Sequence, residues 1–318
     1  MPPVLNSPTE THMKAFIVKA GSTSLDGLQA VERDKPAVGP DEILVAMRAA
    51  SINYRDLLIP LGRYLGGAVA ADTIPLSDGA GEVVAIGANV TRFNPGDRVA
   101  GTFFKNWVDG LPANEDRPAL GVPLDGVLAE FVAFNARDAV HIPANLSFVE
   151  AATLPCAGVT AWHALMVAGR PVKPGDNVLV LGTGGVSIQA LLFAKAAGAR
   201  VIVTSSSDDK LAKARILGAD ILINYKKTPE WQDEVMRLTN GYGADCVVEV
   251  GGAGTLKRSM QALAFAGKIC MIGVLSGFEG DTNPHTVMLK GGSMHGIFVG
   301  NRAIFEQMNR AITVNDIH

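Results

Sequence analysis

The stretch Gly182-x-Gly184 has the spacing of a turn that receives a diphosphate. The first glycine permits a sharp bend, and the second lets a pyrophosphate approach backbone N–H groups where a helix begins. Thr183, Gly185 and Val186 complete the predicted cradle. The third glycine of the usual pattern is replaced by Ser187, still small enough for close helix–strand packing. About 20 residues beyond such a turn, an Asp or Glu would hold the ribose 2′-hydroxyl of NAD. Here the chain reads Thr204-Ser205-Ser206-Ser207, with Asp208 and Asp209 delayed and Lys210 after them. A carboxylate would repel a 2′-phosphate, whereas hydroxyls and an ammonium can bond it, each charge-assisted bond contributing about 1.5–3 kcal/mol. Ser205, Ser206 and Lys210 therefore predict NADP(H). The plainer alternative is that Ser207 caps a helix and Lys210 is a solvated charge.

The elements around the turn support nucleotide binding. Asn177-Val178-Leu179-Val180-Leu181 is a continuous apolar run, as expected of a strand covered on both faces. An apolar helix over 186–197 follows, stopped by Gly198, and then a strand over 200–204. The alternation continues with a helix over 208–217 and strands over 220–224, 245–250, 268–273 and 294–298. Six strands with intervening helices predict an α/β fold with a doubly wound parallel sheet. Before about residue 140 the rhythm differs, with short strands over 42–48, 81–86 and 98–100 punctuated by Gly and Pro. That half reads as an irregular β domain, with a surface excursion over 105–123.

Composition excludes several classes. A chain of 318 residues and 33.3 kDa is about two domains long. Its 28 basic and 31 acidic side chains leave a net charge of −3, so no basic excess draws it to nucleic acid or to an anionic membrane. The partner expected is a small molecule. Three scattered cysteines, Cys156, Cys246 and Cys270, fit a reducing compartment better than a disulfide framework. Cys246 and Cys270 fall in predicted strands and read as core. The opening residues 1–11 lack the apolar stretch of a signal peptide, and no apolar run reaches the ~18 residues that span a bilayer. A soluble, cytoplasmic protein is expected.

With these elements in place, several segments resemble the medium-chain dehydrogenase/reductase superfamily. They are Gly182-Thr183-Gly184-Gly185-Val186-Ser187, Leu217-Gly218-Ala219-Asp220, Asp78-Gly79-Ala80-Gly81-Glu82-Val83-Val84 and Pro95-Gly96-Asp97-Arg98-Val99. Gly126-x-x-Ala129-Glu130, Lys173-Pro174-Gly175-Asp176 and Val248-Glu249-Val250-Gly251-Gly252 match as well. The resemblance implies a GroES-like catalytic domain over 1–145, with a C-terminal stub at 313–318, and a Rossmann NADP-binding domain over 146–312. Within the superfamily the pattern is most similar to the zinc-free quinone and enoyl reductases. Members usually continue for a few tens of residues past the last Rossmann helix, whereas this sequence stops at Asp316-Ile317-His318, so either a truncation or a missing closing segment is expected. The same resemblance implies a homodimer joined edge to edge at the sixth strand.

Zinc-containing members hold the catalytic metal at positions that match Asn53, Ser77 with Asp78, and Cys156. One thiol with an amide and a hydroxyl does not make the three or four N/S ligands zinc requires, and no cysteine lies in 101–128, where the structural-zinc lobe would fall. No metal is expected, and Cys156 reads as a buried packing residue. The zinc-free relatives commonly keep Asn where Asn53 stands, which implies a hydrogen-bond donor for a developing oxyanion. Tyr54, Asp56 and Tyr64 lie near it in sequence as further donors or a proton relay. Each has an ordinary alternative, Asp56 as a helix cap and the tyrosines as core. By the same resemblance Thr160 approaches the nicotinamide side and Tyr225 the adenosine 2′-phosphate. Gly251, Ile272-Gly273-Val274 and Phe298-Val299 lie at the carboxyl ends of later strands, either lining the ligand crevice or merely packing there. His141 and His163 have no partner visible in the sequence and read as core or surface.

The first expectation is an NADPH-dependent, zinc-free oxidoreductase that transfers hydride to an enone, quinone or related carbonyl compound. An alcohol dehydrogenase or ketoreductase, including one of secondary metabolism, is the second. A cofactor-binding structural or regulatory protein without turnover is the alternative of another class.

Overall fold

The computed structural model describes residues 11–112, 117–277, 279–280 and 282–318. Most of the opening stretch, residues 1–10, and residues 113–116 of the expected excursion lie outside the described residues. Contacts divide the chain into two compact units, Met1–Cys156 with Asn301–Asp316 and His318, and Ala157–Gly300 with Ile317.

The first unit is built on antiparallel strands. Strands β1 (His12–Val18) and β2 (Leu28–Asp34) form a two-stranded ribbon. β3 (Glu42–Ser51), β4 (Asp78–Ile86), β5 (Arg98–Gly101), β6 (Phe131–Asn135) and β7 (Ala139–His141) form a five-stranded sheet in the order β6-β3-β4-β5-β7. Ile43, Val45, Val83, Val99, Phe93 and Phe134 close its core. Helices α1 (Tyr54–Leu58) and α2 (Phe148–Ala151) punctuate it. The described residues of the expected excursion over 105–123 are mixed: Trp107, Ala119 and Leu120 are buried, whereas Asn106, Asp109, Gly110 and Leu111 are exposed. Trp107 ties the excursion to Phe104 just before it, with ring centroids 6.0 Å apart, despite the prolines and charges around it.

The second unit carries strands β8 (Asn177–Leu181), β9 (Arg200–Ser205), β10 (Ile221–Asn224), β11 (Ala244–Glu249), β12 (Leu263–Met271) and β13 (Ser293–Gly296). All pair in parallel, in the order β10-β9-β8-β11-β12-β13. The order reverses at β8, which makes its carboxyl end the switch point where ligands of open α/β sheets bind. The chain passes into this unit through a π-helical turn, Leu154–Gly158, then α3 (Val159–Trp162) and a second π-helical turn, His163–Val167. The connections are α4 (Gly185–Ala196), α5 (Asp208–Ile216), α6 (Trp231–Leu238), α7 (Ala253–Ala262) and α8 (His285–Leu289). β8 is buried along its whole length, and α4 packs Leu191 and Phe193 beneath it, as an apolar run between two layers must.

The last helix, α9 (Arg302–Asn315), differs from expectation in its company. The sequence groups it with the Rossmann strands, but its contacts lie in the first unit. The Arg302 and Ala303 N–H groups donate to Trp107 and Val108 carbonyls, Asn309 Nδ2 donates to the His141 carbonyl, and Glu306 pairs with Arg92 at 2.9 Å. These partners lie some 200 residues back along the chain, so no local pattern announces them. By its contacts the first unit runs to Cys156, because α2 packs against β3 and β4. Among the described residues no helix is long and apolar enough to cross a membrane.

Candidate active site

The glycine turn is built as its spacing predicts. Gly182 has φ +75°, a left-handed conformation that residues with a Cβ rarely adopt, and Gly184 caps α4. A Cβ at Gly182 or Gly184 would meet nothing within 4 Å, so open space lies over the backbone where a diphosphate must approach. Gly184 and Gly185 are exposed at the mouth, while Thr183 and Val186 are half-buried. Ser187 turns the other way and its Oγ donates to the Leu181 carbonyl at 2.8 Å, which ties helix to strand where the pattern usually has its third glycine.

Beside the turn is a cavity of about 460 Å³ lined by Gly182, Thr204, Tyr225, Trp231, Gly251 and Arg258, among others. It brings together three of the expected cofactor residues, Gly182, Tyr225 and Gly251. Ser205, Ser206 and Lys210 stand at the β9–α5 junction next to it but do not line it. Ser205 is buried, Ser206 half-buried and Lys210 exposed. Ser207 does cap α5, accepting from the Lys210 N–H at 3.4 Å. The Tyr225 N–H donates to the Ser205 carbonyl, so β9 and the β10 exit share one edge of the cavity. Among the described residues that line it there is no carboxylate. Asp208, the nearest acid in sequence, is engaged by Asn224 Nδ2 at 2.6 Å and Lys227 Nζ at 2.5 Å, which hold its carboxyl below the usual range.

Ile272, Gly273 and Val274 line a second cavity of about 300 Å³ with Glu249 and Gly252. Glu249 is a residue that sequence reasoning passed over. Its Oε1 accepts from the N–H groups of Gly251 (2.8 Å) and Gly252 (3.1 Å) and from Thr255 Oγ1 (2.6 Å), and its Oε2 accepts from Ser259 Oγ. One buried carboxyl thus fixes the turn between β11 and α7. Its signal was a lone acid at the end of an apolar run. Arg258, also missed, reaches the first cavity with Nη2 paired to Glu230 at 3.2 Å and its Nε without a hydrogen-bond partner. Thr160 is buried in α3, and Phe298 and Val299 follow β13, the first exposed and the second buried. His163 and His141 both have partners after all. His163 Nδ1 lies 2.6 Å from the Val299 carbonyl, and His141 Nε2 lies 3.1 Å from Asp97.

The candidate catalytic residues belong to the first unit. Asn53 precedes α1, and its backbone N–H donates to Asp56 Oδ2 at 2.8 Å while its carbonyl accepts from the Asp56 N–H at 3.0 Å. Asp56 is therefore the helix cap of the ordinary reading, and Tyr54 is 54% exposed on the same short helix. Tyr64 is half-buried with the Arg55 guanidinium 4.8 Å from its ring centre. Burial raises its hydroxyl pKa, opposed by that guanidinium. Arg55 is itself fixed by the Leu120 and Val122 carbonyls at 3.1 and 3.3 Å.

Asp78, at the start of β4, is fully buried. Its Oδ1 accepts from Ser77 Oγ at 2.6 Å and its Oδ2 from the Cys156 N–H at 2.8 Å. Burial pushes its pKa up to about 7 in spite of those donors. The Asn53 amide stands close enough to lower that value somewhat, yet Asn53 Nδ2 is buried and makes no hydrogen bond of ordinary geometry. The cluster offers the weakly engaged Asn53 amide beside a carboxyl that exchanges its proton near neutrality.

These residues do not fit zinc. Both oxygens of Asp78 are engaged, Ser77 spends its proton on Asp78, and Asn53 presents an amide. Cys156 is half-buried rather than a core packing residue, and is the single thiol at the site. Among the described residues no group of three or more His, Cys, Asp and Glu is placed to hold a metal. Cys246 and Cys270 are buried in β11 and β12, as expected of core.

Family models agree with both halves. Residues 39–144 match the alcohol dehydrogenase GroES-like domain and residues 185–313 the zinc-binding dehydrogenase domain. The chain is 45% identical over 311 residues to a zinc-type alcohol dehydrogenase-like protein of Schizosaccharomyces pombe, covering 95% of this chain and 89% of that one. Among solved structures it is similar to an NAD-dependent alcohol dehydrogenase (34% identity, TM-score 0.85, 95% of this chain and 90% of that one). It is also similar to a quinone oxidoreductase of Pseudomonas syringae pv. tomato (27% identity, TM-score 0.78, 96% and 89%). The chain belongs to the medium-chain dehydrogenase/reductase superfamily, with its GroES-like and Rossmann domains. It is an alcohol dehydrogenase-like oxidoreductase of that superfamily.

Proposed function

We propose that this oxidoreductase uses NADPH and works without zinc, reducing an enone, quinone or related unsaturated carbonyl compound. The observation that carries the reading is Asn53 Nδ2, a buried donor beside Asp78 that makes no hydrogen bond of ordinary geometry, at the position where zinc members have a metal ligand. A bound nicotinamide dinucleotide supplies the hydride. Asn53 then donates to the oxygen on which negative charge develops, the task a Lewis acid performs elsewhere. Tyr64 is the side chain we assign to deliver the proton, its hydroxyl kept protonated by burial. Asp78 orients Asn53 and is the local proton store, and Asp56 acts by holding the Asn53 backbone.

For the dinucleotide, Gly182, Thr183, Gly184, Gly185 and Val186 are proposed to take the diphosphate, with Tyr225 and Gly251 beside the adenosine. Ser205, Ser206 and Lys210 would meet the 2′-phosphate, a choice supported by the lack of a carboxylate among the described lining residues and by Arg258 there. Thr160, Ile272, Gly273, Val274, Phe298 and Val299 would face the nicotinamide half. The quinone oxidoreductase likeness supports the substrate class. The likeness to an NAD-dependent alcohol dehydrogenase favours a second reading, NAD-linked interconversion of alcohol and carbonyl.

Direct titration with NADPH and NADH, followed by product analysis over enones, quinones, aldehydes and alcohols, tests both parts. Tighter NADPH binding with reduction of C=C or quinone is expected. Tighter NADH binding would overturn the cofactor assignment, and turnover confined to alcohols and simple carbonyls would overturn the substrate class.

A further inference from the structure

Val299 is a buried, β-branched residue with φ +56°, in the left-handed region that such side chains rarely enter. A conformation of this kind persists only where neighbours over-determine it, and it clusters where ligands are held. The neighbour here is His163, in the π-helical turn His163–Val167, whose Nδ1 lies 2.6 Å from the Val299 carbonyl. A carbonyl only accepts, so Nδ1 carries the proton in this contact. Burial holds the imidazole pKa below its ordinary value, opposed by the Val299 contact and aided by Lys268. The bond does not depend on that titration, because neutral and protonated rings can both donate from Nδ1.

Topology says what the strained residue faces. The strand order reverses at β8, and in such sheets each half of the sheet takes one half of a dinucleotide. The cavity beside the glycine turn takes Thr204, Tyr225 and Trp231 from the β9–β10 side and Gly251, Thr255, Arg258 and Ser276 from the segments after β11 and β12, which leaves the exit of β13 outside it. With β9 and β10 given to one half of the cofactor, the other half falls to the far side of the sheet, where residues 297–300 leave the carboxyl end of β13.

We propose that His163 is a positioning residue for the nicotinamide half of the cofactor: its Nδ1–H holds Val299 in the left-handed bend and so fixes the Phe298-Val299 crest against which that half is bound. This rests on the dinucleotide reading above and adds a residue that does not itself touch the cofactor. The geometry separates a positioning role from a packing role, because Asn at 163 places an amide nitrogen the same number of bonds from the backbone as Nδ1, whereas Leu fills similar volume and donates nothing.

The experiment measures dissociation constants by calorimetry for NADPH and for 2′,5′-ADP, which lacks the nicotinamide half, on the full chain and on H163L and H163N. H163L should bind NADPH about tenfold more weakly, the scale of one lost hydrogen bond, with 2′,5′-ADP affinity unchanged and H163N close to the parent. In a Val299→Gly background, where glycine keeps the bend unaided, H163L should lose most of its effect on NADPH. Equal weakening of both ligands, or no rescue by H163N, would make His163 a packing residue. Unchanged NADPH affinity in H163L would remove the role while leaving the cofactor reading intact. If the parent chain binds neither NADPH nor NADH, both readings fall together. Should H163L not fold, H163N and the glycine background still decide the matter, since a parent-like H163N with a glycine variant that binds NADPH tightly supports the role, and a weakened H163N overturns it.

Discussion

The glycine turn of the second unit and the polar cluster of the first are built by opposite means. The turn is made of consecutive residues, 181–187, and works through backbone: a left-handed glycine, an open approach and a helix N-terminus. The cluster gathers side chains from α1, from the segment holding Tyr64, from the entry to β4 and from Cys156, and works through burial. It leaves Asn53 Nδ2 without a hydrogen bond of ordinary geometry and moves the Asp78 proton toward neutrality. Shape recognises a diphosphate at little cost in desolvation. A desolvated amide and carboxyl are costly, and their use is to act on charge that appears only during reaction.

The largest expected effect tests the cluster. Asn53→Ala removes the donor and the N-cap side chain of α1, at about 1 kcal/mol of stability, but keeps both backbone bonds to Asp56, so α1 should remain in place. Loss of one oxyanion donor lowers kcat/KM by about 10²–10³-fold. Dissociation constants for the dinucleotide should stay within about threefold of the parent, well short of one hydrogen bond to a charged group. Steady-state rates with any accepted substrate, measured beside the binding titration, check this. A parent-like rate would leave the cluster as architecture alone.

The same contrast governs what the sequence shows. β8 has the bounds its apolar run predicts, and the turn and α4 follow because their signals are local. Asp78 could be placed beside Ser77 by adjacency, but its other hydrogen-bond donor is the Cys156 N–H, 78 residues further on. His163 looked unpartnered because its acceptor is a backbone carbonyl 136 residues away, and carbonyls leave no mark in a sequence. Glu249 was legible in principle, since an acid closing the run Cys246-Val247-Val248 is anomalous in a buried strand and demands donors. Trp107 was hidden by the prolines and charges around it.

A second, smaller effect uses pH. The Asp78 carboxyl has a folded pKa of about 7, above the value near 3.8 expected when unfolded, so the native state binds the extra proton between those limits. Its contribution to stability is complete below about pH 4, falls by at most about 1.4 kcal/mol per pH unit, and levels off above about pH 7. Asp78→Asn abolishes this decline. Other carboxyls with lowered pKa, Asp176 and Asp220 among them, change stability in the opposite sense, so the quantity to follow is the difference between variant and parent. Melting temperatures at pH 5, 6, 7 and 8 should show the variant gaining on the parent as pH rises to about 7. A constant difference would mean that Asp78 ionises in the native state as it does in the unfolded chain.

The smallest effect probes the turn. Ser187 is 2% exposed and its hydroxyl faces the Leu181 carbonyl, away from the open side where the diphosphate would lie. Ser187→Ala should cost about 0.5–1.5 kcal/mol of stability, the net value of one hydrogen bond, and leave NADPH affinity unaltered. Ser187→Gly restores the third glycine of the common motif, yet it should be the more damaging change, because glycine inside a helix costs about 1 kcal/mol more than alanine. Chemical denaturation of the three proteins gives the order parent, alanine, glycine. A glycine variant more stable than the parent would mean that helix and strand are held apart by the serine rather than tied by it, and the turn would then depend on side-chain chemistry as much as the Asn53 cluster does.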